Sequence, residues 1–69
     1  MQANLEGAVL EGAVCTSATF HGANLKGVMF GRADLTLAKF AGATMSGASL
    51  SGATIVATNF STSDMSDVE

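Results

Sequence analysis

From Ala3 to Met65 the chain keeps a period of five. The fifth-residue series runs Leu5, Leu10, Cys15, Phe20, Leu25, Phe30, Leu35, Phe40, Met45, Leu50, Ile55, Phe60, Met65. Every member is apolar, and all four Phe fall in it. Two residues before each stands a smaller one: Ala in ten units, and Val28, Thr58 and Ser63 in the other three. A helix cannot use this pattern. Five residues advance an α-helix by one turn plus about 140°, so the large side chains would spiral round it and form no stripe. A straight strand cannot use it either, because side chains alternate and residues five apart lie on opposite faces.

A strand broken by corners can. The small and the large residue are two apart, so both point to one side of a short extended piece. Each large residue and the next small one are three apart, and keeping both inside requires a bend between them. Seven of the eight Gly occupy one register in that gap: Gly7, Gly12, Gly22, Gly27, Gly42, Gly47 and Gly52. In Leu25-Lys26-Gly27-Val28 the Gly is the third turn residue, where a type II turn needs positive φ. Each unit therefore reads as an inward pair followed by a corner.

Twenty-residue steps count the sides. They stack Phe20, Phe40 and Phe60, and also Leu5, Leu25, Met45 and Met65. They set Glu6 beside Lys26 on neighbouring rungs about 4.8 Å apart. Fifteen-residue steps would pair Leu5 with Phe20 and break the aromatic ladder. The expected fold is all-β, a quadrilateral parallel β-helix (solenoid) of about three coils over residues 1–65. A polar C-terminal tail is expected over residues 66–69. Right-handedness is the expectation for parallel crossovers.

The length of 69 residues allows one domain and only a marginal globular core, whereas a repeat array needs only neighbouring units. One Cys offers no disulfide, and no cluster of ligand residues offers a metal staple. A net charge of −3 argues against nucleic-acid binding, which needs a basic surface. No apolar run approaches the roughly 20 residues that span a bilayer, and no secretory signal opens the chain. The expected compartment is the cytoplasm, with no membrane association.

Units such as Ala3-Asn4-Leu5-Glu6-Gly7, Ala23-Asn24-Leu25-Lys26-Gly27 and Ala33-Asp34-Leu35-Thr36-Leu37 resemble the pentapeptide-repeat family, whose units run A-(D/N)-L-X-X. The resemblance covers almost the whole chain and keeps register without an insertion. It implies a right-handed, four-sided β-helix. It also implies a choice of roles, since some members inhibit topoisomerases by resembling DNA in shape and charge. The chain departs from the pattern in places. Val28 replaces the small inward Ala and is expected to crowd the coil near Met29 and Phe30. Thr58 and Ser63 turn hydroxyls inward. Arg32 and Leu37 occupy corner slots where Gly is usual.

Individual residues carry little chemistry. Cys15 occupies an inward slot and reads as a small core residue, since a reactive thiol needs exposure and an activating base. His21 is the single His and reads as a solvated surface residue. Lys26, Arg32 and Lys39 share no stacked column and build no phosphate site. Asp34 matches the family pattern and is expected to make a turn hydrogen bond. Asp64, Asp67 and Glu69 read as a frayed, solvated tail. Among outward slots Val9 and Met29 stack on one side, and Val14, Leu37 and Val56 lie on the next. These five form the candidate interaction surface.

The expected function is a non-catalytic structural or protein-interaction module, with no catalytic residue, cofactor or metal. The alternative, carried by the resemblance alone, is a DNA-mimicking gyrase inhibitor of the quinolone-resistance type. The charge pattern speaks against it, because such a mimic should be densely acidic along its sides and these acids sit near the two ends. Nothing at Met1 and Gln2 resembles a cap. End-to-end self-association, as a homodimer, is therefore expected, unless the chain is part of a longer array. A further protein partner is left unidentified.

Overall fold

A computed structural model describes residues 3–69, so the bare start expected at Met1 and Gln2 lies outside the described residues. The chain winds as a coil that returns on itself every twenty residues. Parallel bridges join Asn4 to Asn24, Asn24 to Thr44 and Thr44 to Asp64 on one face. The same step joins Val9, Met29 and Ser49, then Val14, Asp34 and Thr54, then Thr19, Lys39 and Asn59, on the other three. A corner interrupts every fifth residue, so no extended strand forms. The β structure consists of isolated bridges, one residue per face per coil.

The corners are closed by a hydrogen bond from the small residue of one unit to the large residue of the unit before it. Ala8 N–H donates to Leu5 C=O at 3.0 Å, and Val28 N–H donates to Leu25 C=O at 3.1 Å. The third residue of each turn has positive φ, for example +64° at Gly27. Only this one turn residue is left-handed, which is the type II geometry read from the sequence. Six corners reach it without Gly: Ser17, Arg32, Leu37, Ala57, Thr62 and Asp67, with φ between 54° and 62°. Ladder bonds hold the departures in place. Arg32 N–H donates to Ser51 C=O and Leu37 N–H to Val56 C=O, both at 2.9 Å.

The ladder is directional. Between the second and third coils, eight N–H groups (Leu25, Gly27, Phe30, Arg32, Leu35, Leu37, Phe40, Gly42) donate forward to the later coil. Only four (Thr44, Ser49, Thr54, Asn59) donate back. The same two-to-one ratio joins the first coil to the second. An ordinary sheet alternates donors and acceptors equally along each edge. Here the N–H of the second turn residue points out of the ladder, and the carbonyl of the large residue is taken by the corner.

The interior is filled by the two inward series. Leu25, Val28, Phe30, Leu35, Phe40 and Met45 are fully buried, with Ala23, Ala33, Ala38, Ala43 and Ala48 between them. Each large side chain contributes on the order of 1.5–3 kcal/mol through burial. Phe40 stacks on Phe20 at 4.8 Å and on Phe60 at 5.0 Å, and Phe30 meets Phe20 and Phe40 edge-on at 5.7 Å. The crowding expected at Val28 does not open the coil, since Val28 is fully buried and its corner stays closed.

Two expectations are corrected at the C-terminal end. Residues 66–69 do not leave the coil as a tail. Gly47 N–H donates to Ser66 C=O, Leu50 N–H donates to Glu69 C=O, and Glu69 N–H donates to Ala48 C=O. Val68 takes the small inward register and packs against the core. Ile55, assigned to the interior by the series, is 47% exposed. It lies in the last coil, with no later coil beneath it. Its corner also lacks the closing bond found at the others: the Thr58 hydroxyl donates to Leu35 C=O at 2.7 Å instead. The Ser63 hydroxyl, also inward, donates to Phe60 C=O at 2.6 Å.

Candidate functional site

The outer surface is built from three positions of each unit: the bridge residue and the first two residues of the corner proper. The N–H of the first corner residue has no backbone acceptor among the described residues. An Asn or Asp at the bridge position supplies one. Asn4 Oδ1 accepts from Glu6 N–H at 3.2 Å, and Asn24 Oδ1 accepts from Lys26 N–H at 3.2 Å. Asp34, Asn59 and Asp64 do the same for Thr36, Ser61 and Ser66. Five of the six Asn and Asp residues of the chain are these caps. The turn bond expected of Asp34 is therefore one case of a general device. Its signal in the sequence was the Asn or Asp placed directly before the large residue.

Around Asp34 the caps grow into a small polar cluster. One carboxylate oxygen accepts the Thr36 N–H and the Thr36 hydroxyl, the latter at 2.6 Å, and the other accepts the Thr16 hydroxyl at 3.4 Å. The Thr36 hydroxyl and N–H, joined by the Thr16 hydroxyl, hold the Asp34 carboxyl below its ordinary pKa and outweigh the opposing effect of burial. Asp64 is lowered for the same reason, by the Ser66 hydroxyl and N–H first and then by the Lys26 charge. Both accept hydrogen bonds as carboxylates, Asp34 through both oxygens and Asp64 through Oδ1, the opposite of a carboxyl poised to donate a proton.

Cys15 is half-buried, and burial, then the Asp34 charge, pushes its thiol pKa up. A raised pKa keeps the thiol protonated, which agrees with its reading as a core residue. His21 is exposed on a corner. Glu6 and Lys26 stand on neighbouring rungs as expected, and the Glu6 carboxylate accepts from the Asn24 amide at 3.4 Å.

The five apolar residues read as a candidate surface are all exposed, Val14 most of all at 80%. Val9 and Met29 are bridge partners in one column. Leu37 N–H donates to Val56 C=O, so these two are neighbours on one corner. Val14 is set apart from them: its bridge partner is Asp34, in the polar cluster. The sequence missed Ile55, which precedes Val56 and adds apolar surface at the same corner.

The family described as "Pentapeptide repeats" matches residues 1–36 and 30–67 in eight copies. No curated protein matches the chain. Among solved structures it is similar to a pentapeptide repeat protein from the Arabidopsis thaliana thylakoid lumen, at 20% identity over 97% of this chain and 68% of that one, with a TM-score of 0.35. A likeness of that size carries no argument by itself, and the repeat match is what decides. With units in register across nearly every residue, and with corners, inward pairs and Asn/Asp caps each in the repeat's own positions, the chain belongs to the pentapeptide-repeat family.

Proposed function

We propose that the chain is a non-catalytic structural or protein-interaction module, wound as a right-handed quadrilateral parallel β-helix, that associates with itself through the ends of its coil. The observation that carries this reading is the filled interior. Phe20, Phe40 and Phe60 stack through the axis, and the Leu, Met and Ala residues close the space round them. A packed core leaves the chemistry of recognition to the outer faces and the coil edges. The outer faces carry the exposed pairs Val9–Met29 and Leu37–Val56. The first and last coils carry half-buried core residues, among them Leu5, Leu10, Phe60 and Met65.

The test is sedimentation velocity over about 1–200 µM protein, run beside a gyrase supercoiling assay. A mass that rises with concentration, with supercoiling unaffected, is the expected result. A strict monomer at the highest concentration refutes the self-association, and inhibition of supercoiling by the chain refutes the choice of module over inhibitor.

A further inference from the structure

The two edges of the coil are unlike, and their difference points to the geometry of the contact. On the last coil the N–H groups of Gly52, Ile55, Ala57, Phe60, Thr62, Met65 and Asp67 take no part in the ladder among the described residues. The unused acceptors of the same ladder there are the carbonyls of Ala53, Thr58, Ser63 and Val68. The first coil has the reverse balance among the described residues: the carbonyls of the bridge residue and the first corner residue go unused in each of its four units, from Asn4 and Glu6 to Thr19 and His21, against unused ladder N–H groups at the four bridge residues alone, Asn4, Val9, Val14 and Thr19. One edge is donor-rich and the other acceptor-rich, each by about two to one, because the ladder between coils has that same ratio.

Two like edges cannot satisfy each other. Last coil against last coil would face two donors with two donors on every side, leaving half of them without an acceptor and shielded from water. A first coil against a last coil meets every donor with an acceptor in the pattern already used inside the chain. From this complementarity we propose that the chain associates with a second copy of itself head to tail, the acceptor-rich first coil of one copy on the donor-rich last coil of the other. The proposal rests on the self-association put forward above and gives it direction. A head-to-tail contact is heterologous and does not close on itself, so it extends to trimers and beyond where an isologous contact stops at two.

Charge restrains that growth. Of the six acidic residues, Glu6 and Glu11 lie in the first coil and Asp64, Asp67 and Glu69 in the last. All three basic residues, Lys26, Arg32 and Lys39, lie in the coil between, with Asp34. Stacking brings five carboxylates into two adjoining coils, with Lys26 the one cation placed to act on Asp64. Between exposed charges this repulsion is screened by salt, with a Debye length of about 10 Å at 0.1 M and about 3 Å at 1 M. Association is therefore weak at low ionic strength and strengthens as salt is added.

Two edge-blocked variants of the full chain test the direction. Val14→Pro removes a free N–H from the first coil and obstructs that edge, at an edge position that tolerates Pro. Ile55→Lys puts a charge on the last coil where the side chain is already half exposed, and Ala57→Lys is a second variant of the same edge should Ile55→Lys not fold. Far-UV circular dichroism confirms folding of each. In sedimentation velocity at about 0.5 M NaCl, each blocked variant alone is expected to be monomeric, and their mixture to form a 1:1 complex that grows no further. The unblocked chain is expected to form a series of oligomers, and its association to weaken at least threefold on dilution to about 20 mM NaCl. Dimerisation of Val14→Pro alone, without a mixed complex, overturns the head-to-tail geometry and leaves self-association standing. A unblocked chain that remains monomeric throughout overturns both.

Discussion

Replacing Phe40 by Ala removes the centre of the aromatic stack. Phe40 is fully buried, with Phe20 stacked at 4.8 Å, Phe60 stacked at 5.0 Å and Phe30 edge-on at 5.7 Å. Truncating a buried Phe to Ala costs about 3–5 kcal/mol, and each aromatic pair contributes about 0.5–1.5 kcal/mol beyond its buried area. With three pairs lost and coils on both sides holding the cavity open, the cost belongs at the upper end, about 4–5 kcal/mol. Phe60 is half-buried in the last coil and stacks on Phe40 alone. Its truncation is expected to cost about half as much. A chain of this length has a total stability on the order of 3–10 kcal/mol, so Phe40→Ala removes about 40% of it or more and lowers Tm by roughly 20 °C. Urea unfolding followed by far-UV circular dichroism measures both variants. Equal costs for Phe40→Ala and Phe60→Ala, or a cost below about 2 kcal/mol for the former, would falsify the claim that the axial stack dominates the core.

Three further outcomes follow from the corners and their caps. Gly27→Ala meets no atom within 4 Å but sits at φ +64°, so thermal melts should show a loss of about 0.5–1 kcal/mol from backbone strain alone, where a purely steric view expects none. Ser17→Gly, at φ +62°, should raise stability by up to about 1 kcal/mol in the same measurement. Asn24→Ala, which uncaps Lys26 N–H, should cost about 1 kcal/mol, while Thr44→Asn, which offers Ser46 N–H the acceptor it lacks, should raise the urea midpoint. Asp34 and Asp64 have folded pKa values lowered from the ordinary 3.8. Their stabilisation is present above that value and is lost as pH falls below it toward the folded pKa, so Tm should drop on acidification below about pH 4, and less steeply in Asp34→Asn.

Legibility followed from how many signals coincided at a position. The twenty-residue step was readable because period, residue type and stacking agree at Phe20, Phe40 and Phe60. Corners were readable at Gly7 or Gly27, where residue type reports φ directly. At Ser17, Ala57 or Thr62 the period alone marks the corner, and residue type does not report the left-handed φ found there. Composition misled at residues 66–69: the run of Ser and Asp reads as solvated, yet Val68 keeps the inward register and Glu69 keeps two ladder bonds. Ile55 failed for the converse reason, since register placed it inside while its coil is the last and its corner is unclosed. Of the caps only that of Asp34 was read in advance; those of Asn4, Asn24, Asn59 and Asp64 stayed hidden because their value depends on which N–H the backbone leaves without an acceptor.

The isolated bridges set the size of the steps by which such a chain can lengthen or shorten. Because one residue per face does the pairing, an insertion of any number other than a multiple of five throws every later inward residue onto a wrong face. An insertion of five between Met45 and Phe60 keeps the interior apolar but turns all later residues by one side, which would stack Phe60 on Met45 and dissolve the aromatic column. Only a gain or loss of twenty returns each residue to its former neighbours. The chain thus has a coarse unit of change that preserves folding and a fourfold larger one that preserves its surface, so length variation can redraw the outer faces while the core stays filled.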